Sequence, residues 1–234
     1  YTDSPSERTW ESPTKPGGSV FPTLIGINGY SGPEYDTGGY GFEPVEKALY
    51  DAYESGDTRR DASILSFEKL RTAHPEATYT PRYDDTGYFN HKYLGRPDGH
   101  SRYTGNAPEL NFRNNCRIWR YSETLLAAAE LIVRTGGPQE EADSYLNEVR
   151  ARAFGMKTTD SAFAPYRRTA TLDNLLSELR LEFALEGHRF WDLVRFGKAE
   201  EVLGKRGYTQ SKKWLPIPQS EIDQAQGTLK QNQY

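Results

Sequence analysis

Through the second half of the chain, apolar side chains return every three or four residues, the spacing of one face of an α-helix. In "RIWRYSETLLAAAELIVRTGG" the stripe runs through Ile118, Ser122, Leu125, Ala129 and Ile132 and stops at Gly136-Gly137. Pro138 suits the first turn of a second helix, "PQEEADSYLNEVRARAF", with Ala142, Tyr145, Leu146, Val149 and Ala153 on one face. Glu140 and Glu141 open it and Arg150 and Arg152 lie near its end, each where the helix dipole favours that sign. The two predict an antiparallel αα-hairpin, and Ala127 to Ala129 permit close approach. A third helix is expected over residues 171–186, with Thr171 or Asp173 as N-cap and Leu172, Leu175, Leu176, Leu179 and Phe183 on one face. Gly187 breaks or kinks it, and His188 to Phe196 then present Phe190, Leu193 and Val194. The tail is extended through Pro216 and Pro218, with a short helix from Ser220.

The first 110 residues show no such period. They hold 11 of the 16 tyrosines, 13 of the 21 glycines and 10 of the 14 prolines, which predicts long, turn-rich loops studded with aromatics. "GINGYSGPEYDTGGYGFEP" (Gly26 to Pro44) is the extreme case. One helix is expected there, Pro44 to Ser55, with Val45, Ala48, Leu49 and Ala52 sharing a face before Gly56. Thr78 to Tyr83 and Tyr88 to Leu94 read as short strands.

Composition narrows the function classes. With 35% hydrophobic residues but 13% aromatic ones, Tyr and Phe must supply much of the burial. A net charge of −4, without a basic run, argues against a nucleic-acid partner. The single Cys116 rules out a disulfide framework within the chain. The chain opens on Tyr1 with no signal peptide in view, and is expected to be processed or partial.

The densest chemistry lies in "LRLEFALEGHRFWDLVRFG", residues 179–197. Helical spacing puts Glu186 within about 20° of Leu179, inside the apolar stripe, so its carboxylate needs a cation. The expectation is a structural brace of Glu186, Arg189, Asp192 and Arg152, with Glu186 paired to Arg189 or Arg152. An acid/base pair of Glu182 and Glu186 is the sharper alternative, but nearby arginines would hold both ionised and leave no acid. His188 and Asp192 have i, i+4 spacing but no third ligand, so no metal site is assigned. No catalytic residue and no cofactor is assigned.

Four blocks, in order, carry a family resemblance: "YESGDTRRDASI" (Tyr53 to Ile64), "RYSETLLAAAEL" (Arg120 to Leu131), "LNEVRARAFG" (Leu146 to Gly155) and "ELRLEFALEGHRFWDLVRFG". With "WLPIPQSEI" and "QNQY" near the end, the chain resembles the C-terminal half of a SusD/RagB-family protein over roughly residues 42 to 234. Thr58 stands where the family's Asp-Pro-Arg segment has proline. The resemblance implies a mainly α fold, a tetratricopeptide-like helical scaffold with long irregular loops and a few short strands. It divides the chain into an aromatic, Gly-rich loop region, 1–43, and a C-terminal domain, 44–234, with an N-terminal helical half outside this chain. It also implies a non-enzymatic surface lipoprotein of the outer membrane that captures a glycan, or in some branches a peptide, and passes it to a SusC-like TonB-dependent transporter. The lipid anchor would lie outside this chain. A helical-repeat scaffold without a small ligand is the remaining alternative.

A glycan binder needs flat aromatic faces with polar side chains beside them. Trp10, Tyr30, Tyr35 and Tyr40 meet that need best, with Asn28, Glu34 and Asp36 as hydrogen-bonding candidates. The competing reading is that these tyrosines simply pack the loops together.

Overall fold

The computed structural model describes residues 19–99, 112–115 and 117–233. In chain order, α1 is Phe21–Ile25, α2 Lys47–Tyr50 and α3 Arg59–Ser63. Then come β1 Ile64–Ser66, α4 Phe67–Ala73 and β2 Tyr88–Asn90. The long helices follow: α5 Tyr121–Thr135, α6 Gln139–Ala153 and α7 Leu172–Glu182. Shorter helices close the chain: α8 Arg189–Arg195, α9 Ala199–Leu203 and α10 Gln219–Gln224.

The predicted hairpin is α5 and α6. Gly136, at φ 69°, ends α5 in the left-handed conformation that glycine adopts at low cost, and Gly137 N–H donates to Ile132 O at 2.9 Å. Ala129 of α5 and Ala142 and Leu146 of α6 are fully buried where the helices meet. α7 packs against both, burying Leu175, Leu179 and the following Phe183 in the same core. Its N-cap is Thr171, whose Oγ1 accepts from Asn174 N–H at 3.2 Å.

α7 ends four residues earlier than its apolar period suggests. From Phe183 the chain turns, with Leu185 at φ 66° and Gly187 at φ 83°. Glu186 therefore sits on a turn, not on the helix stripe. α8 starts after that turn and buries Leu193 against Leu176, Ala199 and Tyr208.

In the loop half, the helix expected over 44–55 contracts to α2. Val45 N–H donates to Tyr88 O at 3.2 Å, a sheet-like tie that holds the chain extended there, and Tyr53 turns inward to donate to Leu181 O at 2.9 Å. The strand expected at Thr78 to Tyr83 is only a bridge, Ser31 with Thr78. The strand expected at Tyr88 to Leu94 shortens to β2 and pairs antiparallel with β1, Leu65 opposite Phe89. A second core lies under these loops, built from Ile25, Ile27, Tyr30, Tyr35, Phe67 and Phe89 among others.

Candidate functional site

Loop residues 26–42 are shaped by close backbone approach. A Cβ on Gly39 would lie 2.2 Å from the carbonyl carbon of Gly26, so only glycine fits. Past that crossing, the segment 40–42 runs along α1. Tyr40 N–H donates to Thr23 O at 2.8 Å, Gly41 N–H to Gly26 O at 2.8 Å, and Phe42 N–H to Leu24 O at 3.0 Å. These bonds fix the backbone and turn two rings outward: Tyr40 is 46% and Phe42 49% exposed, edge to face with centroids 6.1 Å apart. Arg82 bridges them, its guanidinium 5.3 Å from the Phe42 ring centre and its Nη1 donating to Tyr40 O. The next residue, Tyr83, is 90% exposed. The result is an aromatic shelf with a cation in it.

The aromatic residues expected to touch ligand divide between this shelf and the core beneath it. Trp10 lies outside the described residues. Tyr30 and Tyr35 are 3% and 5% exposed and pack edge to face at 5.8 Å. Tyr35 Oη is 3.0 Å from His91 Nε2, and burial raises its pKa. These two rings fill the loop core and leave no face for a ligand, because glycine-rich loops need large side chains beneath them. Of the three described, Tyr40 is on the shelf and Tyr30 and Tyr35 are not. The polar candidates are also engaged within the loops: Asn28 Nδ2 donates to Thr80 O at 3.0 Å, and Glu34 meets Arg96 at 3.0 Å and His74 at 3.3 Å. Asp36 Oδ1 accepts from Thr37 N–H at 2.8 Å. Phe42 and Arg82 escape a sequence reading because their association crosses forty residues of chain. The run of turn residues around Tyr83 in "YTPRYDDTGY" is the one local hint that this ring points outward.

The charged motif resolves into an ion network. Glu178 takes Arg59 at 2.6 Å and Arg150 at 2.7 Å. Glu182 takes Arg59 at 3.0 Å, Arg120 at 2.8 Å and Arg152 at 2.5 Å. Glu186 takes Lys92 at 2.5 Å and Arg120 at 2.9 Å. Arg59 also binds Asp57 side-on through two nitrogens. The pairings expected for Glu186 are thus replaced. Arg152 serves Glu182, and Arg189 donates to Leu176 O at 3.2 Å. Asp192 Oδ1 accepts from Arg195 at 3.0 Å. The early end of α7 is the reason, since it swings Glu186 toward α5 and carries α8 away from it. Burial alone would raise the carboxyl pKa of Glu182, but Arg152, Arg120 and Arg59 outweigh it and bring it down to about 2. Lys92 and Arg120 likewise outweigh burial at Glu186 and lower its pKa. Neither carboxylate is poised to give or take a proton near neutral pH.

Among the described residues no cluster of three or more His, Cys, Asp or Glu side chains is arranged to hold a metal ion. No helix among them is long and apolar enough to cross a membrane. The arrangement of Tyr40, Phe42 and Arg82 can stack flat apolar faces and donate hydrogen bonds at their rim, which is how proteins hold sugar rings.

Comparison with known proteins bears on this arrangement. The SusD family model matches residues 28–213. The structure of surface glycan-binding protein A from Bacteroides thetaiotaomicron in complex with laminarihexaose is 44% identical, with a TM-score of 0.79 over 93% of this chain and 47% of that one. A laminarin-binding SusD-like protein is 36% identical, with a TM-score of 0.77 over 92% of this chain and 44% of that one. SusD-like protein P38 of Formosa agariphila is 37% identical over 109 residues, 44% of this chain and 21% of the relative. The chain thus spans less than half the length of each.

Proposed function

The chain belongs to the SusD family, and from that membership we propose that it is the glycan-binding C-terminal part of a cell-surface protein whose ligand is a laminarin-type glucan. The observation that carries this reading is the Tyr40–Phe42 shelf, fixed to the α1 carbonyls and crossed by Arg82, on a fold shared with a laminarihexaose-bound relative. A rigid, exposed aromatic pair loses little entropy on binding and offers the flat surface a pyranose ring stacks against. Arg82 supplies donors for ring hydroxyls, and Tyr83, next to it in the chain, is a further exposed ring.

The proposal extends to context. The chain binds and does not catalyse: Glu182 and Glu186, its most active-site-like pair, are each held ionised by two or more cations. It works at the outer-membrane surface, tethered through a lipid anchor outside this chain, and hands its glycan to a SusC-like TonB-dependent transporter. Residues 44–234 form the C-terminal domain and 1–43 the loop region that completes the binding face.

Isothermal titration with laminarihexaose, maltohexaose and an unrelated hexapeptide tests the reading. Saturable heat with laminarihexaose, and weaker or no heat with the others, is expected. Binding of the peptide alone would point to a peptide-binding member of the family. Cleavage of laminarihexaose that disappears in Glu186→Gln would overturn the non-enzymatic reading.

A further inference from the structure

Asn28 sits where the two pieces of the shelf meet. Its backbone oxygen accepts from Thr80 N–H at 2.8 Å, and its side-chain Nδ2 donates to Thr80 O at 3.0 Å. One residue thus grips another by both of its backbone groups. On its other side Asn28 forms a parallel bridge with Gly39, one residue before Tyr40. The side chain also lies against the shelf backbone. A Cβ added to Gly41 would stand 3.1 Å from Asn28 Cβ and 3.1 Å from Arg82 Cδ, so Gly41 is the point that both side chains touch.

This clasp bears on Arg82 because only one residue separates Arg82 from Thr80. That residue is Pro81, whose ring fixes its φ, so a hold on Thr80 carries through to the Arg82 backbone. The other tie between these segments, Ser31 with Thr78 at 2.9 Å, lies farther along the chain. Arg82 itself is exposed, and its guanidinium is held by the Tyr40 carbonyl and the Phe42 ring. A long exposed side chain otherwise samples many rotamers, and ordering it at the moment of binding costs affinity.

Resting on the reading of the shelf as the glucan site, we propose that Asn28 is a positioning residue of that site. Its side-chain bond to Thr80 holds Arg82 against Phe42 in the ligand-free protein, so the guanidinium meets sugar hydroxyls already ordered. Asn28 therefore acts through Arg82 and not on the sugar. An amide beside aromatic rings reads in sequence as a ligand-touching group, but here its donor is spent on the Thr80 carbonyl.

A double-mutant cycle tests this, with laminarihexaose titrated calorimetrically into Asn28→Ala, Arg82→Ala and the two combined. Asn28→Ala should weaken binding ~5-fold and Arg82→Ala ~10-fold, and the combination should be no weaker than Arg82→Ala alone. Effects that multiply to ~50-fold would overturn the proposal, since Asn28 would then act on the sugar or on the loops at large. A loss in Asn28→Ala with none in Arg82→Ala would overturn it as well. Parental affinity in Asn28→Ala, beside a loss in the Tyr40→Ala, Phe42→Ala double variant, would overturn it and leave the shelf standing. Parental affinity in both would overturn the shelf reading together with it. Proton NMR of the ligand-free protein gives a readout that does not depend on binding. The Phe42 ring current should displace the Arg82 Nε–H resonance from its free-arginine position. Asn28→Ala should return it there while the amide signals of α5 and α6 stay in place. An Arg82 signal unchanged by Asn28→Ala would overturn the proposal.

Discussion

The loop half bury tyrosine rings beneath glycine crossings; the helical half bury leucine, alanine and charge. Under residues 26–42, Tyr30 and Tyr35 fill space that no regular element supplies, and backbone bonds to α1 hold the surface above them. Under α5 to α7, Ala129, Ala142, Leu146 and Leu175 pack at helical spacing, and a chain of carboxylates at 178, 182 and 186 ties α5, α6 and the Arg59 and Lys92 segments to one another. The first arrangement fixes an exposed shelf, the second fixes a frame. Residues that look most like an active site belong to the frame, while those suited to binding sit in the aromatic, glycine-rich loops.

The largest effect should come from breaking the frame. Glu182→Ala leaves three arginines, Arg59, Arg120 and Arg152, short of a shared partner, and breaking a buried pair from one side costs about 3–5 kcal/mol. Chemical denaturation should show a loss of that size, with the whole domain unfolding earlier.

The same carboxylate gives the frame a pH signature. Its pKa lies at about 2 in the folded chain against 4.5 for a free glutamate, so the stabilisation is fully present above about pH 5 and is lost as pH falls toward 2. The shift corresponds to roughly 3 kcal/mol. Melting followed from pH 7 to pH 3 should show that decline, and Glu182→Gln should flatten it.

In the loop half, Gly39→Ala forces a methyl into the Gly26 backbone and should cost about 1–3 kcal/mol. Hydrogen exchange should quicken at Tyr40 and Phe42 while α5 and α6 keep their protection. If α5 loosened as much, the shelf would not be held locally by its bonds to α1. Smaller still, Tyr35→Phe removes the contact with His91 and should lower stability by about 1 kcal/mol.

How far the sequence discloses the molecule follows the same division. The hairpin is legible because Gly136-Gly137-Pro138 punctuates two clean apolar stripes, and the Thr171 cap is legible because a hydroxyl before an apolar run has one common use. The early end of α7 is not, since Phe183 continues the helical period and only the turn through Leu185 and Gly187 interrupts it. Hence the partners of Glu186 are Lys92 and Arg120, 94 and 66 residues away, and not Arg189, three residues on, or Arg152. Tyrosine enrichment marks the loops as aromatic, but burial, which separates Tyr30 and Tyr35 from Tyr40, is decided by contacts across the fold. β1 was equally hidden, because three residues pairing with β2 leave no period to read.

The central claim is that glucan binds the loop shelf and not the helical frame. Titration calorimetry with laminarihexaose on the Tyr40→Ala, Phe42→Ala double variant, beside Trp191→Ala, tests it most directly. The account predicts that the shelf variant loses at least ~10-fold in affinity, the scale of one to two stacking contacts, while Trp191→Ala binds as the parent does. Undiminished binding by the shelf variant together with loss in Trp191→Ala would contradict it.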